Sequence, residues 1–284
     1  MQFCKFHGFG NDYLILEAEG VRQIKSLGDF ARQICDRHYG AGADGIAIVE
    51  KLKSGAADFS ARIFNPDGSE AGFSGNGTRC AVAYLHYKKL WTEENLRLKT
   101  KSGVKNYRLL ETIDEGHYRF EAELGKPKLD SDSVPLVTKE KLETVVDFPL
   151  SVGAEEFKIT ALNVGNPVAC IFVDDFESFD WRETGRELET HPLFPERTNA
   201  VFVKVLDQNN IELRIWERGA GETMASGTCS VASAIASCLR NETARKIIVH
   251  SPGGQTSVFW RESDDEMLLT GRADFVFCGE WEVK

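Results

Sequence analysis

Residues 62–76, RIFNPDGSEAGFSGN, and residues 214–228, RIWERGAGETMASGT, align without a gap. Arg-Ile opens both, a glutamate (Glu70, Glu222) stands inside both, and Ser-Gly (Ser74-Gly75, Ser226-Gly227) falls near the end of both. The offset is constant, since 214 − 62, 222 − 70 and 226 − 74 all equal 152. A register held over that distance predicts two copies of one α/β unit. One Ser-Gly on each copy predicts a ligand approached by one polar group from either side.

Working outward, 284 residues suffice for two domains with separate cores. The expected division is 1–125, with 271–284 returning to it, and 126–270; the Pro-, Asp- and Ser-containing stretch 125–134 is the candidate linker. Short β-branched and aromatic runs, such as 13–16, 45–49, 59–64, 199–205, 211–216 and 256–260, predict strands. Helical patterns occupy 30–37, 75–90 and 227–239, and the last two begin at the repeated Ser-Gly. Small and apolar residues cover most sides of these two, so each is expected inside a curved sheet. The fold class expected is α/β (α+β), two pseudo-symmetric domains, each a barrel-like mixed or antiparallel sheet wrapped around a central helix.

A net charge of −10 and a pI near 5.2 oppose a nucleic-acid groove or an anionic membrane surface. A small-molecule ligand fits better. The seven cysteines show no CxxC or zinc spacing and are expected as free thiols in a reducing compartment. The N-terminus lacks a signal-peptide pattern and no stretch of eighteen apolar residues occurs, so a cytoplasmic protein is expected. No metal spacing, phosphate loop or dinucleotide fingerprint is present. His7 and His38, each near glycine, read as structural donors.

In both copies a strand enters a glycine-bearing turn and then Ser-Gly at a helix start. Either serine taken singly is an ordinary N-cap. The Gly-Asn-Gly at 75–77 and Gly-Thr at 227–228 add something, because glycine lets an anion approach the free N–H groups where the helix dipole favours it. Two such helix starts would hold a carboxylate, with Ser74 and Ser226 flanking the carbon that bears it.

The chain resembles the diaminopimelate epimerase family, cofactor-independent amino-acid epimerases of the lysine and peptidoglycan route. The resemblance rests on KFHGFGNDYLIL (5–16), CDRHYGAGADGIAIVE (35–50), RIFNPDGSEAGFSGNGTRCAVAYL (62–85), NVGNPVACIFVDD (163–175), RTNAVFV (197–203), RIWERGAGETMASGT and SPGG (251–254), in that order. It implies an active site in a cleft between the two domains, no cofactor, a substrate amino acid with two carboxylates, and a homodimer. It also implies a two-base mechanism, in which one cysteine removes the α-proton and another returns a proton to the opposite face. Those two positions are Ser74 and Ser226 in this chain, and an alcohol is a weak base unless a neighbour activates it. The family's histidine after Asn-Pro is Val168 here, and its glutamate partner corresponds to Glu217. Cys80 and Cys229 lie near the serines in sequence but not at the aligned positions.

Carried over residue by residue, Asn11, Asn65, Asn166, Asn199 and Arg218 match positions that hold the amino-acid group distant from the reacting carbon. Gly75, Asn76, Gly227 and Thr228 match the carboxylate cradle. Each has a plainer explanation: turn asparagines for Asn11 and Asn65, a pre-proline loop residue for Asn166, a surface ion pair for Arg218. Three functions remain open at this level. The chain epimerises LL- and meso-diaminopimelate; or it is an isomerase of the same fold in which a carboxylate such as Glu217 moves the proton; or it is an amino-acid-binding paralogue without activity.

Overall fold

The computed structural model describes residues 1–53, 55–72 and 74–282. The chain forms two compact units, Met1–Glu123 with Thr270–Lys284, and Leu124–Leu269. The first unit carries β1 (Gln2–Gly8), β2 (Asn11–Glu17), α1 (Leu27–Cys35), β3 (Ile46–Lys51), β4 (Phe59–Phe64), β5 (Glu70–Ala71), α2 (Gly75–Tyr87), β6 (Asn95–Thr100), β7 (Gly103–Asp114) and β8 (His117–Glu123). The second carries β9 (Val145–Val152), β10 (Glu155–Asn163), β11 (Pro167–Phe172), α3 (Trp181–Glu189), β12 (Asn199–Asp207), β13 (Asn210–Glu217), β14 (Gly221–Thr223), α4 (Gly227–Leu239), β15 (Lys246–Ser251) and β16 (Gly254–Trp260). The last strand, β17 (Met267–Glu280), returns the chain to the first unit.

In the first unit β17, β1, β2, β3, β4, β6, β7 and β8 pair in that order, and β8 pairs with β17 to close a barrel. Helix α2 threads it. Every residue from Asn76 to Leu85 is buried, and the helix packs against β1, β2, β3, β4 and β8. In the second unit β9, β10, β11, β12, β13, β15 and β16 pair in sequence around α4, buried from Cys229 to Ser237. The all-round burial follows from composition: a helix without a polar face gains only when its whole surface leaves water, each Val or Leu contributing about 1.5–3 kcal/mol. Two of the serines on α4 bond within the helix, Ser230 Oγ to the Ser226 carbonyl and Ser237 Oγ to the Ser233 carbonyl, both at 2.8 Å, and Ser233 Oγ meets Cys170 Sγ at 3.8 Å, which lessens the cost of burying bare hydroxyls.

The 152-residue repeat governs the pairing as well. The parallel pair β2–β3 matches β11–β12, the crossover β4–β6 matches β13–β15, and the small hairpins β4–β5 and β13–β14 have the same register. Even the helix ends correspond. Lys89 and Asn241 both take positive φ, and the next amide, of Leu90 or Glu242, returns to the carbonyl of Leu85 or Ser237.

Some elements escape the sequence reading. Helix α3 is polar apart from Trp181, Gly185 and Leu188, which bury one narrow face; Asp180 caps it by accepting from the amides of Arg182 and Glu183. Strand β7 alternates weakly because most of its residues stay exposed, and β9 is interrupted by Asp147, at φ 50°, and by Pro149. The stretch 125–134 belongs to the second unit, where Val134 lies in the core with Leu136, Val145 and Trp181.

The cysteines depart from the expectation of seven free thiols. Cys4 and Cys278 stand directly opposite each other on β1 and β17, with Cα atoms 4.0 Å apart, and are joined as a disulfide. Cys35, Cys80, Cys170, Cys229 and Cys238 are free. The unfolded oxidised protein should therefore titrate five thiols, and replacing Cys4 by serine should lower stability by about 2–4 kcal/mol in denaturant titration. Seven thiols under non-reducing conditions would contradict the pairing. No helix among the described residues is long and apolar enough to cross a membrane.

Candidate active site

In the first unit the site is built at the start of α2. The β4–β5 turn is tied by the Asn65 amide to the Ser69 carbonyl and by Asn65 Nδ2 to Ser69 Oγ at 3.0 Å, and Arg62 grips Glu70 through two bonds of 2.9 and 3.0 Å. The chain then reaches Ser74, whose extended backbone makes it the N-cap. Ser74 Oγ accepts the Gly77 N–H at 3.1 Å. It also lies 2.9 Å from the phenol oxygen of Tyr13 on β2. Two glycines crowd that ring: a Cβ at Gly77 would stand 2.9 Å from its Cε1 and a Cβ at Gly45 2.7 Å from the same atom.

Behind the cap runs a polar chain. Asn76 Nδ2 donates to Asn11 Oδ1 at 3.2 Å, Asn11 Nδ2 donates to Asp44 Oδ2 at 2.9 Å, and Arg37 joins Asp44 to Asp12. Burial pushes the Asp12 carboxyl up, but hydrogen bonds from Arg37, Lys5 and the Asp44 backbone outweigh it and hold the group at about 2. At the other end Arg79, 1% exposed, donates through Nη1 to Asn76 Oδ1 at 3.0 Å. Asn76 is thus clamped from both sides, with its backbone in the first turn of α2, where amides have no intrahelical acceptor.

In the second unit the equivalent serine has different partners. Ser226 N-caps α4 by backbone position, but its side chain makes no capping bond. Its Oγ donates instead to Glu217 Oε2 at 2.8 Å, while Thr223 Oγ1 donates to Glu217 Oε1 at 2.7 Å. Burial raises the Glu217 carboxyl above its usual value, and the two hydroxyl donors oppose that shift without cancelling it. The difference between the serines traces to one pair of residues 152 apart: Glu217 occupies the place of Asn65, whose side chain turns away to Ser69. Thr228 Oγ1 lies 3.4 Å from Ser226 Oγ and accepts from Asn166 Nδ2 at 3.3 Å. Among the described residues the buried Asn166 Oδ1 atom has no donor.

The remaining expected site residues fall into two groups. Asn199 is buried and bonded at both ends, Nδ2 to the Pro167 carbonyl at 2.9 Å and Oδ1 from the Arg218 amide at 3.0 Å, so it ties β11, β12 and the end of β13 together. Asn65 is similarly committed to its turn. Arg218 spends one guanidinium nitrogen on the Glu196 carbonyl at 2.8 Å and is otherwise exposed. Val168 is fully buried opposite Asn199 in the β11–β12 register, so the position carries core packing.

Neither nearby cysteine offers a base. Burial pushes the Cys80 thiol up to about 12, and burial with the neighbouring Glu217 charge raises Cys229 well above its usual value. Tyr13 is the functional candidate that sequence reasoning missed. In a run of Tyr-Leu-Ile-Leu it reads as a strand aromatic, and only the glycines at 45 and 77 hint that its ring needs a slot.

A profile of diaminopimelate epimerase matches residues 3–129 and 160–276. The chain is similar to proteins of that name: 39% identical over 288 residues to the one from Pelotomaculum thermopropionicum, covering 100% of both chains, and 37% over 283 residues to the one from Synechocystis sp., covering 100% of this chain and 99% of the other. Among solved structures, a hydroxyproline epimerase from Agrobacterium vitis superposes with a TM-score of 0.71 at 15% identity, over 98% of this chain and 90% of that one. A phenazine biosynthesis protein of the PhzF family from Bacillus anthracis gives 0.68 at 17% identity, over 100% and 99%. At such identities the structural likeness speaks to fold alone.

Proposed function

The chain belongs to the diaminopimelate epimerase family, and on that premise we propose that it interconverts LL- and meso-diaminopimelate in the cytoplasm, with Glu217 moving the proton through Ser226. The observation that carries this reading is the 2.8 Å bond from Ser226 Oγ to a half-buried carboxyl whose pKa desolvation raises. An isolated serine is too weak a base for an α-proton, but a serine that hands its own proton to a carboxylate as it takes another never becomes a free alkoxide. The α C–H bond breaks, its electron pair stays on the substrate carbon, the proton goes to Ser226 Oγ, and the former hydroxyl proton goes to Glu217 Oε2. A carboxylate of raised pKa is a stronger acceptor than an exposed one.

The substrate carboxylate next to the reacting carbon is assigned to the first-turn amides at Gly227 and Thr228, beside Ser226, where the helix dipole favours the charge that builds as the carbanion forms. The distal amino-acid group is assigned to Asn166, whose unpaired Oδ1 suits an ammonium donor, and to the exposed guanidinium of Arg218. Asn199 serves by tying together the strands beside these groups, and Asn11 and Asn65 order the equivalent helix start and turn within the first unit.

The test is chiral chromatography of LL-diaminopimelate incubated with the purified chain and no added cofactor. Conversion to an LL and meso mixture is expected. Tight binding without conversion would overturn the reading in favour of an inactive amino-acid-binding paralogue.

A further inference from the structure

We infer that Glu189 is a positioning residue for Glu217, holding the chain on both sides of the base; this rests on the reaction proposed above. The Glu189 carboxylate stands where helix electrostatics oppose it. It ends α3, at the negative end of the helix dipole, and the residue is only 7% exposed. Burying an anion there is unfavourable unless donors fill its oxygens. Every donor that fills them is an N–H, so the direction of each bond is fixed. Trp216 Nε1 donates to Oε2 at 2.9 Å, the Gly219 amide donates to Oε1 at 2.9 Å, and Arg197 Nη1 lies 3.4 Å from Oε1.

These partners bracket Glu217. One oxygen holds the residue before the base and the other holds the turn just after it, so the carboxylate staples the end of β13. Inside the staple the Glu217 carbonyl accepts the Ala220 amide at 3.0 Å, and Asn199 Oδ1 accepts the Arg218 amide at 3.0 Å. The indole is itself fixed: a Cβ on Gly185 would stand 2.9 Å from Trp216 Cβ, and the Arg186 guanidinium lies 5.5 Å from the ring centroid. The backbone carrying the base therefore has little room to move, and its carboxyl reaches Ser226 and Thr223 from one position. The first unit supplies a comparison. In the gap-free alignment Trp216 corresponds to Phe64, which packs in the core and has no side-chain N–H to give, while Glu217 corresponds to Asn65, bonded to Ser69. The indole donor and the carboxyl base occur together at adjacent positions of one copy, and the other copy has neither.

Glu189→Gln tests this role. Glutamine keeps the size of the side chain but has one acceptor oxygen and one NH2, so it must turn the NH2 towards either the indole N–H or the Gly219 amide. Epimerisation of LL-diaminopimelate by the purified chain, followed as α-proton exchange in D2O over a range of substrate concentrations, should show kcat lower by about 10–100-fold and KM within about 3-fold of wild type, as for a misplaced base. KM is spared because Arg218 keeps its bonds to Asn199 and Glu196. Trp216→Phe, which gives the second unit the residue the first unit carries, should show the same kcat-selective loss, and it decides the matter if Glu189→Gln does not fold. A lowered Tm with wild-type kcat, or a rise in KM as large as the fall in kcat, would mean a carboxylate that only supports the fold and would overturn the inference. No exchange with wild type would overturn the reaction itself, and this role with it.

Discussion

Glu217→Gln should abolish epimerisation, by about 10³-fold or more, without weakening the fold. General acid–base groups contribute about 10²–10⁴-fold, and here the alternative acceptor for the Ser226 proton is solvent. Glutamine keeps the shape of the side chain, and a rotating hydroxyl on Thr223 or Ser226 can bond to either end of the amide. The stability change has a definite sign. Because burial raises the folded pKa of Glu217, the folded state holds that proton more tightly than the unfolded chain does. Its stabilising contribution is therefore present below the unfolded pKa and lost as pH rises through the folded one, where ionising a partly desolvated carboxyl begins to oppose folding. Thermal denaturation should show Glu217→Gln equal to or more stable than wild type near neutral pH, the difference vanishing in acid. For the wild-type rate, the acid limb should lie above the range of an exposed carboxylate. A variant that lost activity because it unfolded would show a lower Tm instead.

Arg79→Ala should be the most damaging single change to the first unit, at about 3–5 kcal/mol, similar to truncating a large buried aromatic. Arg79 is among the largest fully buried side chains, and its guanidinium is packed so closely that a Cβ on Gly271 would come within 2.7 Å of it. No carboxylate pairs with it among the described residues; it bonds to Asn76 Oδ1 and to the Arg272 carbonyl, and its Nε has no acceptor. Burial lowers its pKa, though a guanidinium remains charged near neutrality. The cation therefore costs desolvation and returns a positive field at the start of α2. Arg79→Met fills most of the volume without the charge. It should recover much of the stability in denaturant titration while raising KM, because Asn76 loses its donor and the helix start loses positive potential. Wild-type KM in Arg79→Met would show that the charge serves packing alone.

The repeat at 62–76 and 214–228 was enough to read the architecture, because the same pattern that marks two serines also marks two strand-turn-helix segments with helices lacking a polar face. The family relationship follows from motifs distributed along the whole chain. What stayed hidden has physical causes. Helix α3 buries Trp181, Gly185 and Leu188 along one stripe, with the polar Glu189 at its end, too little apolar periodicity to stand out from its charged neighbours. Cys4 and Cys278 are 274 residues apart and become partners only through the β1–β17 register. At the site, Ser74, Ser226 and Glu217 were legible as aligned positions, but their partners were not. Asn65 and Glu217 occupy equivalent places, and only the folded side chains show one turning to Ser69 and the other to Ser226. Tyr13 is the clearest case: its phenol oxygen meets Ser74 across 61 residues, a contact no local pattern encodes.

The central claim is that a hydroxyl backed by a half-buried carboxylate removes an α-proton in this chain. Proton NMR of LL- and meso-diaminopimelate with wild-type protein in D2O tests it most directly, since α-signal loss reports proton removal and line broadening reports binding in the same tube. Loss of the α-signal well above a protein-free control, slowing as Glu217 is protonated in acid, is the predicted result. Broadened lines with an undiminished α-signal at every pH would contradict the account.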